Sequence, residues 1–329
     1  MNTHLAKVKN QALLKPSSDF SKKSDLPSSA PECLLCKSPT QPSLTCFDRR
    51  FGIMGKWEYY FCSECFSYSI NPVPILAELQ EWYENFYLAT CSVNVSKNDF
   101  WSNFKQSLDG QECLHKLLQP GATLDIGCGT GNLLATAQNM GHEVWGQEFN
   151  PQMVKLAQSR GLKVTNLPIT DSYFPQKYFD NIILSQLIEH VENPKQFLQD
   201  ILPLLSSGGQ IIISTPNPHS LFTKLFGDGW AGWHPPFHLC IPSYQALVNL
   251  ADELGLTCTR VTTNTPTWLL KMDCISYFYG KEGEMNLKLN EGISKIQHLS
   301  LLPLLPILRI IDFLKLGDNT VVVLQRSSE

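Results

Sequence analysis

The order of apolar and polar residues divides the chain into stretches of different character. Residues 1–30 are rich in Ser, Lys and Pro and poor in large apolar side chains, which predicts a disordered tail. Residues 73–118 place apolar side chains at helical spacing and predict a helical linker or cap. In residues 119–329, short apolar runs alternate with amphipathic stretches, a pattern typical of strands alternating with helices.

This third stretch predicts the doubly wound α/β architecture, a mostly parallel sheet with helices on both faces. Its strands are predicted at Thr123–Ile126, Glu143–Gly146, Lys163–Asn166, Asn181–Leu184, Gln210–Ser214, Thr257–Thr263 and Asn319–Gln325. Helices are predicted at Asn132–Met140, Pro151–Arg160, Pro194–Leu205 and Tyr244–Leu254. Asn-Pro pairs begin two of these helices, and glycines are expected to end them at Gly161 and at Gly208–Gly209.

An insertion between the last two predicted strands, residues 264–318, contains a very apolar stretch at 299–316. Prolines and charged residues interrupt that stretch, so it does not predict a transmembrane helix. From Arg309 onward polar residues recur at every third position, which predicts an amphipathic helix. We expect this helix to pack on the sheet or to cover the active site, with weak contact to a membrane surface as the alternative.

The composition narrows the classes of protein. A chain of 329 residues has room for one large domain and a small module. Its net charge of −4 disfavours a protein that binds nucleic acid regardless of sequence, because such proteins need a basic face. Eleven cysteines are present without an apolar signal-peptide core in the first 31 residues, so we expect a reducing, cytoplasmic location.

The segment LDIGCGTG at residues 124–131 carries the first candidate chemistry. Three glycines after a predicted strand remove side chains from a turn, so that a ligand can approach the backbone closely. The second predicted strand brings Glu148 to the same edge of the sheet, where a carboxylate can accept hydrogen bonds from both hydroxyls of a ribose. These residues predict a nucleoside site.

The spacing of the glycines separates two classes of nucleoside. The dinucleotide pattern G-x-G-x-x-G requires a third glycine at the position of Asn132. Asp125, just before the turn, would repel a pyrophosphate but suits a ligand with an ammonium group. S-adenosylmethionine has an ammonium group, a ribose and no phosphate, so it is favoured over NAD.

With these motifs, residues 110–265 resemble the catalytic domain of class I S-adenosylmethionine-dependent methyltransferases. The resemblance implies a Rossmann-like sheet of seven strands in which residues 319–325 form the antiparallel strand. Phe149 is expected to cover one face of the adenine, and the backbone of Ser185 to lie near the methionine part. The expected cofactor-binding residues are Asp125, Gly127, Cys128, Gly129, Gly131, Glu148, Phe149 and Ser185.

Two Cys-x-x-Cys pairs lie within residues 31–72, and 25 residues separate them. A spacing of two residues between the cysteines of each pair allows one turn of the chain to place both sulfurs on a tetrahedral metal ion. Disulfides are the alternative, which the lack of a signal sequence disfavours. The pairs therefore predict a zinc ribbon with a closed, structural Zn²⁺ site, whose ligands are Cys33, Cys36, Cys62 and Cys65.

The chain, all but its N-terminal tail, also resembles bacterial zinc-ribbon methyltransferases from polysaccharide and natural-product pathways. The resemblance is carried by CSECFSYSINPVPILAELQEWYENFY, RRFGIMGKWEYYFCSEC and LFGDGWAGWHPPFHLCIPSYQAL. Tyr83 and Tyr87 match aromatic positions that border the cofactor in that group, with helix packing as the alternative.

Three histidines are candidate bases for an acceptor that arrives protonated. His234 and His238, in WHPPFHL, follow the fifth predicted strand in a loop that covers the substrate side in this fold. His190, in LIEHV, is the third, although Glu189 and His190 can instead fix their loop by hydrogen bonding. In ubiquinone-pathway O-methyltransferases a similar stretch carries a further acid for a divalent cation. Gln186 occupies that position here, which disfavours metal-assisted catalysis.

The sequence thus predicts methyl transfer from S-adenosylmethionine to a small-molecule acceptor, first of all a hydroxyl of a sugar or secondary metabolite. An RNA or protein methyltransferase that uses the ribbon for recognition is the alternative. Against it, the fourth strand ends in LSQL without the Asn/Asp-Pro-Pro-aromatic run of enzymes that act on nucleobase amino groups. A non-catalytic cofactor-binding protein is disfavoured by the complete glycine turn. No nucleic-acid partner is expected.

Overall fold

The structure, a computed structural model, describes residues 30–86, 110, 113–286 and 302–327. The predicted tail (all but its last residue), Tyr87 and much of the predicted cap lie outside this part of the chain. The strands are β1 (Gln41–Phe47), β2 (Lys56–Phe61), β3 (Tyr68–Asn71), β4 (Ala122–Ile126), β5 (Glu143–Gln147), β6 (Val164–Thr165), β7 (Phe179–Ser185), β8 (Leu205–Pro216), β9 (Cys240–Ile241), β10 (Leu256–Asn264) and β11 (Asn319–Arg326). The α-helices are α1 (Leu76–Phe86), α2 (Asn132–Asn139), α3 (Pro151–Ser159), α4 (Pro194–Ile201), α5 (Leu221–Phe226), α6 (Tyr244–Glu253), α7 (Thr267–Tyr279) and α8 (Leu305–Phe313).

Seven strands form the main sheet, in the order β10-β11-β8-β7-β4-β5-β6. Pairing from β8 through β6 is parallel, whereas β11 runs antiparallel to both β8 and β10. The doubly wound, mostly parallel sheet with a closing antiparallel strand is therefore confirmed. Its central strands read as continuous apolar runs because helices cover both faces, and Ile182, Ile183 and Leu184 of β7 are fully buried.

The order of the strands determines where a ligand can bind. The chain crosses from β6, at one edge of the sheet, back over β5 and β4 to β7, so the direction of winding reverses between β4 and β7. In open sheets of this kind, ligands bind outside the carboxyl ends of the strands at such a reversal. The glycine turn after β4 and the residues after β7 lie at this point.

A second sheet has the order β1-β2-β3-β9 and joins the two halves of the chain. Its first three strands come from the N-terminal module, whereas β9 follows the main sheet's β8. β3 pairs antiparallel with β9 through Ser69 and Cys240, and the Ile70 amide donates to the Leu239 carbonyl at 2.9 Å. Side chains of the module share one hydrophobic core with the loop after β8, among them Trp57, Tyr59, Ile70, Trp230, Trp233 and Phe237.

The predicted end of α4 is wrong. The helix ends at Ile201, a short 3₁₀ turn covers Leu202–Leu204, and β8 already begins at Leu205. Pro203 lacks the N–H that an α-helix would need there, so the chain leaves the helix before the glycines. Gly208, with a φ of +72°, instead lies where the pairing of β8 with β7 shifts register.

The apolar stretch at 299–316 is described from residue 302 and contains α8. The polar side chains of α8 face the protein: an Arg309 guanidinium N–H donates to the Thr265 carbonyl at 2.7 Å, and Asp312 accepts from the Thr265 hydroxyl at 2.8 Å. Its largely exposed apolar side chains are Ile307, Ile310 and Phe313. Contact with a membrane surface stays a prediction. Within the described ranges, no helix has the length and hydrophobicity needed to cross a membrane.

Candidate functional site

The glycine turn connects β4 to the first turn of α2. Gly127, Gly129 and Gly131 all have positive φ, between +53° and +75°. A side chain at Gly129 would meet no atom within 4 Å, whereas one at Gly131 would overlap the side chain of Leu162. Gly129 is therefore the point at which a ligand can approach the backbone, and Gly131 allows α2 to pack closely.

A cavity of about 340 Å³ lies against this turn, and we call it the cofactor cavity. Five of the eight predicted cofactor residues line it: Asp125, Gly127, Cys128, Gly129 and Ser185. Thr130, Asn132 and Leu133, which the sequence did not single out as ligand contacts, complete the lining.

Glu148 follows β5 and is bonded to the glycine turn. Its Oε2 accepts from the Gly129 amide at 2.8 Å, and its Oε1 accepts from the Asn150 amide at 2.8 Å. A carboxylate oxygen has two lone pairs, so each can accept one more hydrogen bond. Phe149, the next residue, keeps 58% of its surface exposed. Glu148 thus holds the turn and still has acceptor capacity for hydroxyl groups.

Asp125 is buried beside the cofactor cavity. Its Oδ1 is buried and has no hydrogen-bond partner among the described residues. Burial, and the negative charge of Glu148, raise the pKa of Asp125 to about 8. A buried carboxyl group without a partner is costly, and a cationic group placed against it would remove that cost. This orphaned oxygen therefore fits the ammonium group of S-adenosylmethionine.

A second cavity, of about 270 Å³, lies beyond the end of β7, and we call it the acceptor cavity. Ser185 lines the cofactor cavity, and the next residue, Gln186, lines the acceptor cavity. Aromatic walls come from Phe47, Trp230, Trp233 and Trp268. Charged lining residues are Arg49, Arg50, Asp228 and Asp318. All three candidate bases also line it: His190, His234 and His238.

The three imidazoles form a cluster. The ring centroid of His238 lies 4.7 Å from that of His190 and 5.0 Å from that of His234. The Gly232 carbonyl, 2.7 Å from His238 Nδ1, can only accept, so Nδ1 carries the proton and Nε2 is the acceptor. Burial lowers the pKa of His190 to about 4 and the pKa values of the other two well below 6.5. All three are therefore neutral near pH 7.

The LIEHV loop is held by hydrogen bonds from several elements. The Tyr83 hydroxyl lies 2.7 Å from His190 Nδ1, and the Thr215 hydroxyl donates to Glu189 Oε2 at 2.9 Å. Tyr83, expected near the cofactor, thus contacts a residue of the acceptor cavity. Glu189, His190 and His238 each have one atom that could ligate a metal ion, and these three atoms lie within 4.8 Å of one another. Gln186, which disfavours a cation, donates to the Ser214 hydroxyl at 3.0 Å.

The four paired cysteines converge at the end of the second sheet. Their sulfurs all lie within 4.8 Å of one another, with Cys33 to Cys65 at 3.5 Å and Cys36 to Cys62 at 3.4 Å. Tetrahedral Zn²⁺ with bonds of about 2.3 Å requires sulfurs roughly 3.8 Å apart. None of the four forms a disulfide. These thiols fit the predicted metal.

Two buried carboxyl groups support the wall of the acceptor cavity. Asp273 of α7 accepts from the Ala231 amide at 3.0 Å, and Asp318 accepts from the Trp230 indole N–H at 2.6 Å. Asp273 Oδ2 and Asp318 Oδ2 are both buried and have no hydrogen-bond partner among the described residues, and the charge of Asp318 acts on Asp273. Burial raises both pKa values, that of Asp318 to about 6, so the pair shares a proton.

This pair predicts a pH-dependent stability. Both folded-state pKa values exceed the unfolded value of about 3.9, so protonation stabilises the fold at low pH and the contribution is lost as pH rises through 6. Asn at position 273 donates an N–H to Asp318 at any pH. We expect Asp273→Asn to raise the Tm by roughly 2–5 °C at pH 8 but not at pH 5. Thermal unfolding of the wild type and the variant at both pH values is the test. An equal decrease in the Tm of the variant at pH 8 and at pH 5 would contradict a shared proton.

The chain is similar to known methyltransferases. Residues 107–261 match the family described as "Methyltransferase domain". A demethylmenaquinone methyltransferase of Tropheryma whipplei is 33% identical over 94 residues, which cover 27% of this chain and 39% of that protein. A ubiquinone biosynthesis O-methyltransferase of Proteus mirabilis is 29% identical over 103 residues, 29% of this chain and 41% of that protein. The chain thus spans about two fifths of the length of these two relatives.

Two solved structures are similar to this chain at low sequence identity. The alignment with SpnF, named a [4+2]-cyclase, covers 78% of this chain and 98% of the SpnF chain, at 16% identity and a TM-score of 0.50. The alignment with magnesium protoporphyrin IX methyltransferase from Synechocystis, with bound SAH, covers 76% of this chain and 99% of that chain, at 14% identity and a TM-score of 0.46.

The strand order and the glycine turn are those of the class I S-adenosylmethionine-dependent methyltransferase fold. Residues 107–261 of this fold are the part that matches the methyltransferase-domain family.

Proposed function

We propose that the protein transfers a methyl group from S-adenosylmethionine to a small-molecule acceptor. The observation that carries the proposal is that two adjacent residues at the end of β7 line different cavities, Ser185 the cofactor cavity and Gln186 the acceptor cavity. A donor in one cavity and a nucleophile in the other would then both lie near this point, as direct transfer requires. The relatives named as quinone-pathway methyltransferases support a small acceptor, and for one of them an oxygen.

On this proposal the cofactor cavity binds the donor through distinct contacts. S-adenosylmethionine supplies an activated methyl group and a neutral leaving group. Asp125 pairs with its ammonium group, and Glu148 accepts from its ribose hydroxyls while holding the glycine turn. Phe149 covers the adenine, and the backbone of Ser185 lies beside the methionine part. Asp125 becomes ionised when the ammonium binds, so the donor should bind more tightly at pH 8 than at pH 6.

The acceptor cavity supplies a base and a shaped wall. His238 Nε2 accepts the proton of the attacking hydroxyl, with His190 and His234 as the other candidate bases. Aromatic side chains cover much of the wall and suit the face of a sugar ring or an aromatic ring. A hydroxyl of a sugar or secondary metabolite is therefore the proposed acceptor. Incubation with labelled S-adenosylmethionine and metabolite or glycan extracts, followed by mass analysis of the product, tests this.

We also propose a structural Zn²⁺ on the four paired cysteines. The convergence of the thiols supports it, and four cysteine ligands leave no open position for catalysis. The proposed cytoplasmic location is supported by the ten described cysteines, all of which are free thiols.

Replacing His238 by alanine should lower kcat by roughly 10²–10⁴-fold and leave the Kd for S-adenosylmethionine unchanged. Because the pKa of His238 lies well below 6.5, the wild-type rate should not fall between pH 8 and pH 6 through its protonation. His219→Ala is the matched control, since His219 bonds to the Phe66 carbonyl outside the acceptor cavity. Unchanged kcat for His238→Ala at every pH would exclude this base.

A further inference from the structure

Two adjacent arginines from the N-terminal module line the acceptor cavity. Arg49 and Arg50 lie in the turn between β1 and β2, which Asp48 organises. The buried Asp48 carboxylate accepts from the backbone amides of Arg50, Phe51 and Ile53, at 2.9 to 3.0 Å. The turn that carries the two guanidinium groups is therefore fixed by a side chain that does not itself line the cavity.

The guanidinium of Arg49 is preorganised. Its central carbon lies 4.0 Å from the centroid of the Phe47 ring, and one N–H donates to the Gly280 carbonyl at 3.4 Å. The stem packs closely on the backbone after α7, because a side chain at Gly280 would lie 2.8 Å from Arg49 Cβ. Only 13% of the Arg49 side chain is exposed. A cation held in this way loses little conformational entropy when it binds an anion.

Both arginines that line the acceptor cavity come from this one turn, and two aspartates, Asp228 and Asp318, line it with them. Arg49 pairs with Asp228 at 2.8 Å, but 53% of the Asp228 side chain is exposed, so this pair is weak and an incoming anion can replace it. Burial is the main cause of the lowered pKa values of His234 and His238, and the positive charge of Arg50, which lines the same cavity, adds to it. The other acidic lining residue, Asp318, already accepts from the Trp230 indole N–H at 2.6 Å.

We propose that Arg49 and Arg50 select an acceptor that carries a negatively charged group, a carboxylate or a phosphate, and orient its hydroxyl toward the histidines. The inference rests on the proposed function of the same cavity. It assigns the zinc-binding module a role in substrate recognition. Arg50, beside the histidines, also stabilises negative charge that develops on the attacking oxygen.

Three probes of similar shape test the selection on the full chain: benzoate, phenyl phosphate and the neutral benzamide. Calorimetry should show at least one anion binding about tenfold more tightly than benzamide, and the better anion identifies the preferred group. Arg49→Gln should weaken anion binding about tenfold and leave benzamide unaffected. Asp228→Asn removes the competing carboxylate and should strengthen anion binding. Lys56→Gln, in the same module but outside the cavity, is the matched control.

The opposite effects of the two variants separate recognition from a structural role. If the ion pair only stabilised the fold, Arg49→Gln and Asp228→Asn would shift binding in the same direction, and that result would overturn the inference. Equal binding of benzoate, phenyl phosphate and benzamide to the wild type would also overturn it. Should Arg49→Gln fold poorly, Arg49→Lys retains the charge and should retain tighter binding of anions than of benzamide. Titration of the same samples with S-adenosylmethionine tests the proposed function separately, because anion binding does not require methyl transfer.

Discussion

Glu148→Ala should raise the Kd for S-adenosylmethionine by at least about 100-fold, the largest effect expected of any single change among the predicted cofactor-binding residues. The substitution removes two kinds of contact at once. It removes the proposed acceptors for the ribose hydroxyls, and it releases the amides of Gly129 and Asn150, each bonded at 2.8 Å. Gly129 is the point at which the ligand approaches the backbone, so movement of the turn adds to the direct loss.

Calorimetry of the variant with S-adenosylmethionine measures this effect. Glu143→Ala is the matched control, because Glu143 begins the strand that Glu148 follows and bonds only Trp145 and Tyr178 among the described residues. The control should bind the donor with wild-type affinity. Circular dichroism should show intact secondary structure in both variants. Wild-type affinity in Glu148→Ala would contradict both the ribose contact and the role in holding the turn.

Removal of the proposed Zn²⁺, by a chelator or by Cys62→Ser, should lower turnover by at least about 100-fold and leave the Kd for S-adenosylmethionine within about threefold. The module reaches the acceptor cavity through Tyr59, whose hydroxyl donates to the Trp233 and His238 carbonyls at 2.7 and 2.8 Å. Loss of the metal should therefore displace the loop that carries the candidate bases. The cofactor cavity receives no lining residue from the module.

Metal content, turnover and donor binding must be measured on the same samples. Cys258→Ser is the matched control, because Cys258 lies on β10 and outside the cysteine cluster. Full turnover in metal-free protein would contradict a structural metal that supports the acceptor cavity. Loss of donor binding together with turnover would show that the module stabilises the whole chain rather than one cavity.

The main sheet and the cofactor cavity could be predicted from the sequence because their signals are local. A buried parallel strand is a continuous apolar run, so β4, β7 and β11 are visible as short sequences. The glycine turn is likewise contiguous, and Glu148 follows the next strand. The predicted helix end at Leu205, just before Gly208 and Gly209, was wrong because Pro203 interrupts the helix earlier.

The acceptor cavity was less predictable, because residues distant in sequence meet there. The chemistry of histidine predicts the three candidate bases. Arg49 and Arg50, by contrast, stand out only as the start of RRFGIMGKWEYYFCSEC, one of the segments that resemble zinc-ribbon methyltransferases. Two adjacent arginines in an acidic chain were the available signal. The pairing of Asp273 with Asp318 and the contact of Tyr83 with His190 leave no pattern along the chain, since each depends on tertiary packing. The sequence predicts that α8 is amphipathic but not which of its faces turns outward, because that depends on the contacts of Arg309 and Asp312 with Thr265.

The two-residue strand β9 has a consequence for biosynthesis. The N-terminal module leaves the ribosome first, yet the edge of β3 stays open until Cys240 and Ile241 have been made. About 170 residues must be translated in between, so the nascent module carries an unpaired edge for most of synthesis. In nascent chains stalled on the ribosome before residue 241, the edge of β3 should therefore be sensitive to protease. In chains stalled after residue 241, the same edge should be protected.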